Sequence, residues 1–68
     1  MAKENYVVKC LDGINAGKCI EQHCGGFQGV TRNKDEMRMF TKEGAESEAE
    51  YCTKHNPKIK WIAVELFP

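Results

Sequence analysis

The segment that most constrains the fold is residues 41–56, the only stretch long and periodic enough to predict a helix. At 100° per residue, one stripe of this helix carries mainly small side chains, namely Ala45, Ala49, Cys52 and Asn56. The opposite side carries charge, namely Glu43, Glu46, Glu50 and Lys54. Thr41 is a favourable N-cap, and Pro57 ends the helix because the residue before a proline is pushed out of the helical region. The small stripe predicts that the helix packs closely on a sheet.

Short runs of β-branched and aromatic residues on both sides of the helix predict strands. Residues 6–11 form one strand and residues 18–24 are suited to pair back on it, while residues 27–31 form a third. Residues 58–67 form the clearest strand, since both of its alternating sets are largely apolar. The predicted fold class is therefore α+β, with a three- or four-stranded, mostly antiparallel sheet, one helix packed on a face, and the order βββαβ.

The sequence leaves the structure of residues 37–40 open. Met37 and Phe40 have the spacing of a helical turn, whereas Met37 and Met39 have the spacing of a strand.

The last strand is expected to place one set of side chains beneath the helix together with Tyr6 and Val8, namely Ile62, Val64 and Leu66. The far face then receives the other large side chains, namely Val7, Trp61 and Phe67. Such a face is either a second small core or a surface for a protein partner or a second copy, because tryptophan is enriched at binding hot spots.

Length and composition limit the functions that the chain supports. Sixty-eight residues make one domain, 1–68, which is too small for a deep catalytic cleft with supporting residues, so we expect no enzyme. The formal net charge is zero, which disfavours steering to nucleic acid or to anionic membranes. No apolar run has the length of a membrane-spanning helix, and no signal peptide is evident at residues 1–5. A cytoplasmic location with reduced thiols is the expectation that follows.

Cysteine and histidine form the one set of residues suited to bind a metal. The candidate zinc ligands are Cys10, Cys19, Cys24, Cys52 and His55, with His23 as a further imidazole. Cys52 and His55 lie three apart on the helix, so both are able to reach one ion. The chain has no Cys-x-x-Cys pair, however, and buried free cysteines are common. A Cys10–Cys19 disulfide and a thiolate–imidazole pair at residues 23–24 are weaker alternatives.

The charged residues offer a second candidate surface. The helix carries an acidic ridge, defined here as Glu43, Glu46 and Glu50, which is suited to meet a basic patch on a protein partner. Ordinary solvated surface is the simpler interpretation of these acids. Nucleic-acid binding through Arg32, Lys34 and Arg38 is disfavoured because no aromatic platform is interleaved with these cations.

The second half of the chain, from Met37 onward, resembles a pattern of small phage and mobile-element proteins. The matching features are a Phe-x-Thr-x-Glu-x-Ala-like helix start at residues 40–46, Asn56-Pro57, and the final strand from Trp61. Gly44 departs from the pattern, and the cysteines are not part of it. The resemblance implies a non-enzymatic inhibitor of host defence machinery, such as an anti-CRISPR protein. The predicted function is thus a small protein-binding module, with a zinc-stabilised domain as the alternative.

Overall fold

The computed structural model describes residues 3–21 and 29–66. Its regular elements follow the order β1, β2, β3, α1, β4, which confirms the βββαβ prediction. Their bounds are β1 Tyr6–Cys10, β2 Cys19–Ile20, β3 Val30–Thr31, α1 Lys42–His55 and β4 Trp61–Glu65. Two short 3-10 turns lie between them, at Gly13–Asn15 and Lys34–Glu36.

The four strands form one antiparallel sheet in the order β3-β2-β1-β4. The α+β prediction of an antiparallel sheet with one helix is therefore confirmed. Residues 37–40 extend the sheet, because Met37 bridges to Glu21 and Phe40 bridges to Tyr6. The strand-like alternative for Met37 and Met39 is accordingly the correct one: both pack on the side of the sheet away from the helix.

The helix begins and ends where the sequence predicts. The Thr41 hydroxyl accepts a hydrogen bond from the Gly44 N–H at 3.0 Å, which satisfies a donor of the first turn. A Cβ at position 44 would lie 3.1 Å from this hydroxyl, so glycine leaves room for the cap. The small stripe is buried, as expected, at Ala45, Ala49 and Cys52, which we call the helix seam. Asn56, the fourth member of the predicted stripe, is exposed.

The predicted face assignment of β4 is wrong. Trp61 lies opposite Cys10 and Ala63 lies opposite Val8, and directly opposed residues share a face of an antiparallel pair. Since Val8 lies beneath the helix, as expected, Trp61 and Ala63 lie there with it. Of the residues predicted beneath the helix, Val64 and Leu66 instead join Val7 on the far side, and Ile62 faces that side too because it alternates with Trp61 and Ala63. Both alternating sets of β4 are apolar, so the sequence pattern carried no information about which set faces the helix.

Two loops meet at the end of the sheet where α1 also ends. Gly13 and Gly17 in the β1–β2 loop have φ values of +79° and +88°, a region that glycine adopts without the strain other residues meet. Leu11 N–H donates to the Lys60 carbonyl at 2.9 Å, and Lys60 N–H donates to the Asp12 carboxylate at 3.0 Å. These bonds hold the β1–β2 loop against the segment that leads into β4. Among the described residues, no helix has the length and apolar character needed to cross a membrane.

Candidate functional site

A shallow groove of about 330 Å³ lies between the C-terminal end of α1 and the start of β4. We call it the aromatic groove; its lining residues are Tyr51, Cys52, His55, Asn56, Ile59 and Trp61. A second hollow of about 410 Å³ adjoins it and shares Tyr51 and His55. The groove exists because the helix ends directly above the first residue of β4, where the connecting residues 56–60 turn back.

Aromatic side chains dominate this groove. Tyr51 and His55 are one helical turn apart, and their rings meet edge to face with centroids 4.3 Å apart. Tyr51 nevertheless remains 58% exposed, which is unusual for so large a side chain. Trp61 is half-buried and packs against the core cluster that includes Cys52. Its backbone N–H donates to the Thr53 hydroxyl at 3.0 Å, which fixes the start of β4 to the helix.

The neighbouring β1–β2 loop adds exposed apolar surface. Ile14 is 93% exposed at the tip of this loop, and Leu11 is 40% exposed at its base. A Cβ at Gly13 would lie 3.9 Å from the Ile59 side chain, so the loop borders the wall of the aromatic groove. These exposed apolar side chains therefore lie at the end of the domain that carries the aromatic groove.

The acidic ridge is exposed along α1, as the helical pattern predicts. Glu43, Glu46 and Glu50 are all exposed. Glu50 precedes Lys54 by one turn, a spacing that allows weak mutual stabilisation. The ridge does not line the aromatic groove. The two predicted partner-binding features of this helix therefore occupy different surfaces.

The structure separates several of the predicted metal ligands. Cys10, Cys19 and Cys52 are buried cysteines. Cys19 packs on the far side of the sheet with Val7, whereas Cys52 belongs to the helix and packs in the core between helix and sheet. Lys9 is the residue opposite Cys19, so Cys10 points to the other face, and the strand register does not favour the Cys10–Cys19 disulfide, which was the weaker alternative.

The structure brings two of the predicted zinc ligands to the same groove. Cys52 and His55 line the same groove, as their helical spacing predicts. Within residues 3–21 and 29–66, no three histidine, cysteine or acidic side chains are grouped closely enough to hold a metal ion. His23 and Cys24 lie outside the described residues, as does Phe67. The predicted ligands within the described residues, namely Cys10, Cys19, Cys52 and His55, are therefore not brought together as one set.

Burial makes Cys19 a poor nucleophile. Desolvation raises the pKa of its thiol, and the nearby Lys9 ammonium offsets this only in part. A thiol with a raised pKa is mostly protonated at neutral pH and reacts slowly. Cys19 is therefore a core residue. The thiol of Cys10 donates a hydrogen bond to the Asp12 carbonyl at 3.1 Å, within its own loop.

The remaining predicted sites are placed as follows. Arg32, Lys34 and Arg38 are exposed, and the Arg38 guanidinium lies over the Phe40 ring at 5.3 Å. Sequence reasoning missed Tyr51, Ile14 and Ile59 as binding candidates. The spacing of Tyr51 and His55 was a usable signal, because aromatic residues one turn apart on the side of a helix form a joint surface. No sequence signal shows that Ile59 and Ile14 lie beside them.

The fold and its groove define a small α+β protein with a helix packed across a four-stranded antiparallel sheet. Comparisons of this chain with protein-family models, curated proteins and solved structures find no match.

Proposed function

We propose that this chain is a non-enzymatic protein-binding module whose binding site is the aromatic groove with the adjacent loop tip. The observation that carries the proposal is the exposure of Tyr51 and Ile14, at 58% and 93%, on elements that border one groove. Neither residue belongs to the buried core of the described part of the chain. A partner that covers them would gain apolar burial at little cost, because the groove is already formed.

The energetics of such a site favour one or two anchors. Tyrosine and tryptophan are enriched among hot spots, where truncation costs about 2 kcal/mol or more of binding free energy. Tyr51 is the better anchor here, since it is more exposed than Trp61 and its position is supported by the His55 ring. The Trp61 side chain lines the groove and also packs against the core cluster.

The biological role that we propose for this module is inhibition of host machinery by a phage or mobile element. That role rests on the sequence resemblance of residues 37–64. Inhibition by occupying a surface needs no catalytic residues, which suits a domain of this size.

The proposal is tested by comparing the proteins captured from a candidate host lysate by wild-type chain and by variants. Tyr51→Ala and Ile14→Ser remove the exposed side chains of the site, and Lys42→Ala is the matched control because Lys42 is exposed at the other end of the same helix. A partner that uses the groove should be captured by wild type and by Lys42→Ala. Its capture should fall roughly tenfold or more with Tyr51→Ala, as expected for a hot spot.

Urea unfolding of all four proteins controls for loss of fold. Equal urea midpoints are expected, because each substituted side chain is exposed. Equal capture by wild type, Tyr51→Ala and Ile14→Ser would contradict the assignment of the groove. Failure to enrich any protein over an unrelated bait of similar size would contradict the binding function itself.

A further inference from the structure

The outer edge of β4 carries backbone groups that no other described residue pairs with. Leu11 N–H bonds to the Lys60 carbonyl, and Leu66 N–H bonds to the Asn5 carbonyl. Bonded and non-bonded pairs alternate along an antiparallel ladder, so the even-numbered residues of β4 direct their backbone groups toward β1. The odd-numbered residues, Trp61, Ala63 and Glu65, direct theirs away from the sheet.

Within residues 3–21 and 29–66, one of these outward N–H groups has a hydrogen-bond partner. Trp61 N–H donates to the Thr53 hydroxyl of the helix. Among the residues that the structure describes, the outward backbone groups of Ala63 and Glu65 have no hydrogen-bond partner. β4 is also the end strand of the sheet and has five residues, long enough to accept a further strand.

Acidic side chains border this edge. The Thr53–Trp61 bond shows which flank of α1 lies over the edge, and Glu50 and Glu46 lie three and seven residues before Thr53 on that same flank. Because α1 returns directly into β4, the helix runs opposite to the strand. Glu46 is roughly 10 Å along the helix from Thr53. Glu65 is roughly 13 Å along the strand from Trp61, so its exposed carboxylate lies toward the same end as Glu46.

We infer that the β4 edge accepts an extended segment of another protein in which lysine or arginine alternates with apolar residues. The main-chain groups of the segment pair with those of Ala63 and Glu65, as in strand addition to other sheet edges. Because side chains alternate across a strand, one set reaches the helix flank and meets Glu46 and Glu50. The other set extends the apolar far side, next to Val64.

A second copy of this chain is a poor occupant of the same edge. Symmetric pairing of β4 with β4 of another copy would bring the two acidic flanks toward each other, and opposed like charges disfavour association. A basic segment is instead attracted to Glu46 and Glu50 on this flank. The edge is separate from the aromatic groove, so this inference and the proposed function stand or fall independently.

The experiment uses the full isotopically labelled chain and a short blocked peptide of alternating lysine and valine, followed by NMR. In the free protein, the Ala63 and Glu65 amides should exchange with solvent faster than those of Ile62 and Val64. The peptide should protect the Ala63 and Glu65 amides and shift the β4 resonances. The matched glutamate–valine peptide should bind at least roughly tenfold more weakly, since its charges oppose the acidic flank.

Two charge-reversal variants locate the interaction. Glu46→Lys with Glu50→Lys should weaken binding of the lysine–valine peptide roughly tenfold, while Asp35→Lys with Glu36→Lys, the same charge change on a distant turn, should not. No binding at roughly 1 mM peptide would overturn the inference. So would shifts confined to Tyr51 and His55, equal affinity for the two peptides, or β4-mediated dimerisation of the free chain in sedimentation.

Discussion

The closeness of the helix to the sheet can be tested at Ala49. This residue is 5% exposed at the middle of the helix seam, between Ala45 and Cys52, and the seam packs against Val8 and Ile20 of the sheet. The fold depends on this approach because the helix contributes no large apolar side chain to the core. Ala49→Leu adds three carbon atoms to an interface that has been filled by methyl groups, so the helix must move outward or the leucine must adopt a strained rotamer.

The expected loss of unfolding free energy depends on the packing at Ala49, and its importance depends on the small size of the domain. Overpacking a closely packed core costs about 1–3 kcal/mol. At about 0.05–0.15 kcal/mol per residue, a domain of 68 residues has a free energy of unfolding of about 3–10 kcal/mol. With a urea m-value near ~1 kcal/mol/M, the midpoint should therefore fall by about 1–3 M. Such a change is a large fraction of the total stability.

Ser47→Leu is the matched control for this measurement. It introduces the same side chain two residues away on the exposed side of the same helix, where substitutions usually change stability by less than about 0.5 kcal/mol. Urea unfolding of wild type and both variants, followed by far-UV circular dichroism, measures the difference. Equal midpoints for Ala49→Leu and Ser47→Leu would refute the close packing of the seam on the sheet.

Two further substitutions test the remaining contacts. Thr53→Val keeps the shape of the side chain but removes the acceptor of the Trp61 N–H, so the free energy of unfolding should fall by about 1 kcal/mol; an unchanged urea midpoint would show that water replaces the hydroxyl. Burial raises the pKa of the Cys19 thiol in the folded protein. The stability that the neutral thiol contributes to the fold is therefore fully present below the ordinary thiol pKa of about 8.5, and it is lost as the pH rises toward the raised pKa. Urea midpoints at about pH 7.5 and about pH 9.5 should therefore differ more for wild type than for Cys19→Ala, and parallel losses in both would contradict this role.

The candidate surfaces were predictable to different degrees. The exposure of the acidic ridge follows from helical periodicity alone, since Glu43, Glu46 and Glu50 lie off the helix seam. The position of Glu46 and Glu50 beside the open edge of β4 does not follow, because it depends on the Thr53–Trp61 bond between distant elements. The aromatic groove likewise joins residues of the helix, the loop before β4 and β4 itself. Sequence reasoning found Trp61 but placed it on the wrong face.

The sequence alone determined the elements whose signals are local. The helix from Lys42 to His55, its cap at Thr41, its buried small seam and the antiparallel α+β class all follow from side-chain spacing and from the chemistry of caps and turns. Only the tertiary structure decided which face of β4 lies beneath the helix, which strand is left at the edge, and that Cys19 and Cys52 are on opposite sides. The physical reason is that strand register is set by pairing between residues far apart in the chain. When both faces of a strand are apolar, either orientation satisfies the local pattern, and only packing of the whole domain selects one.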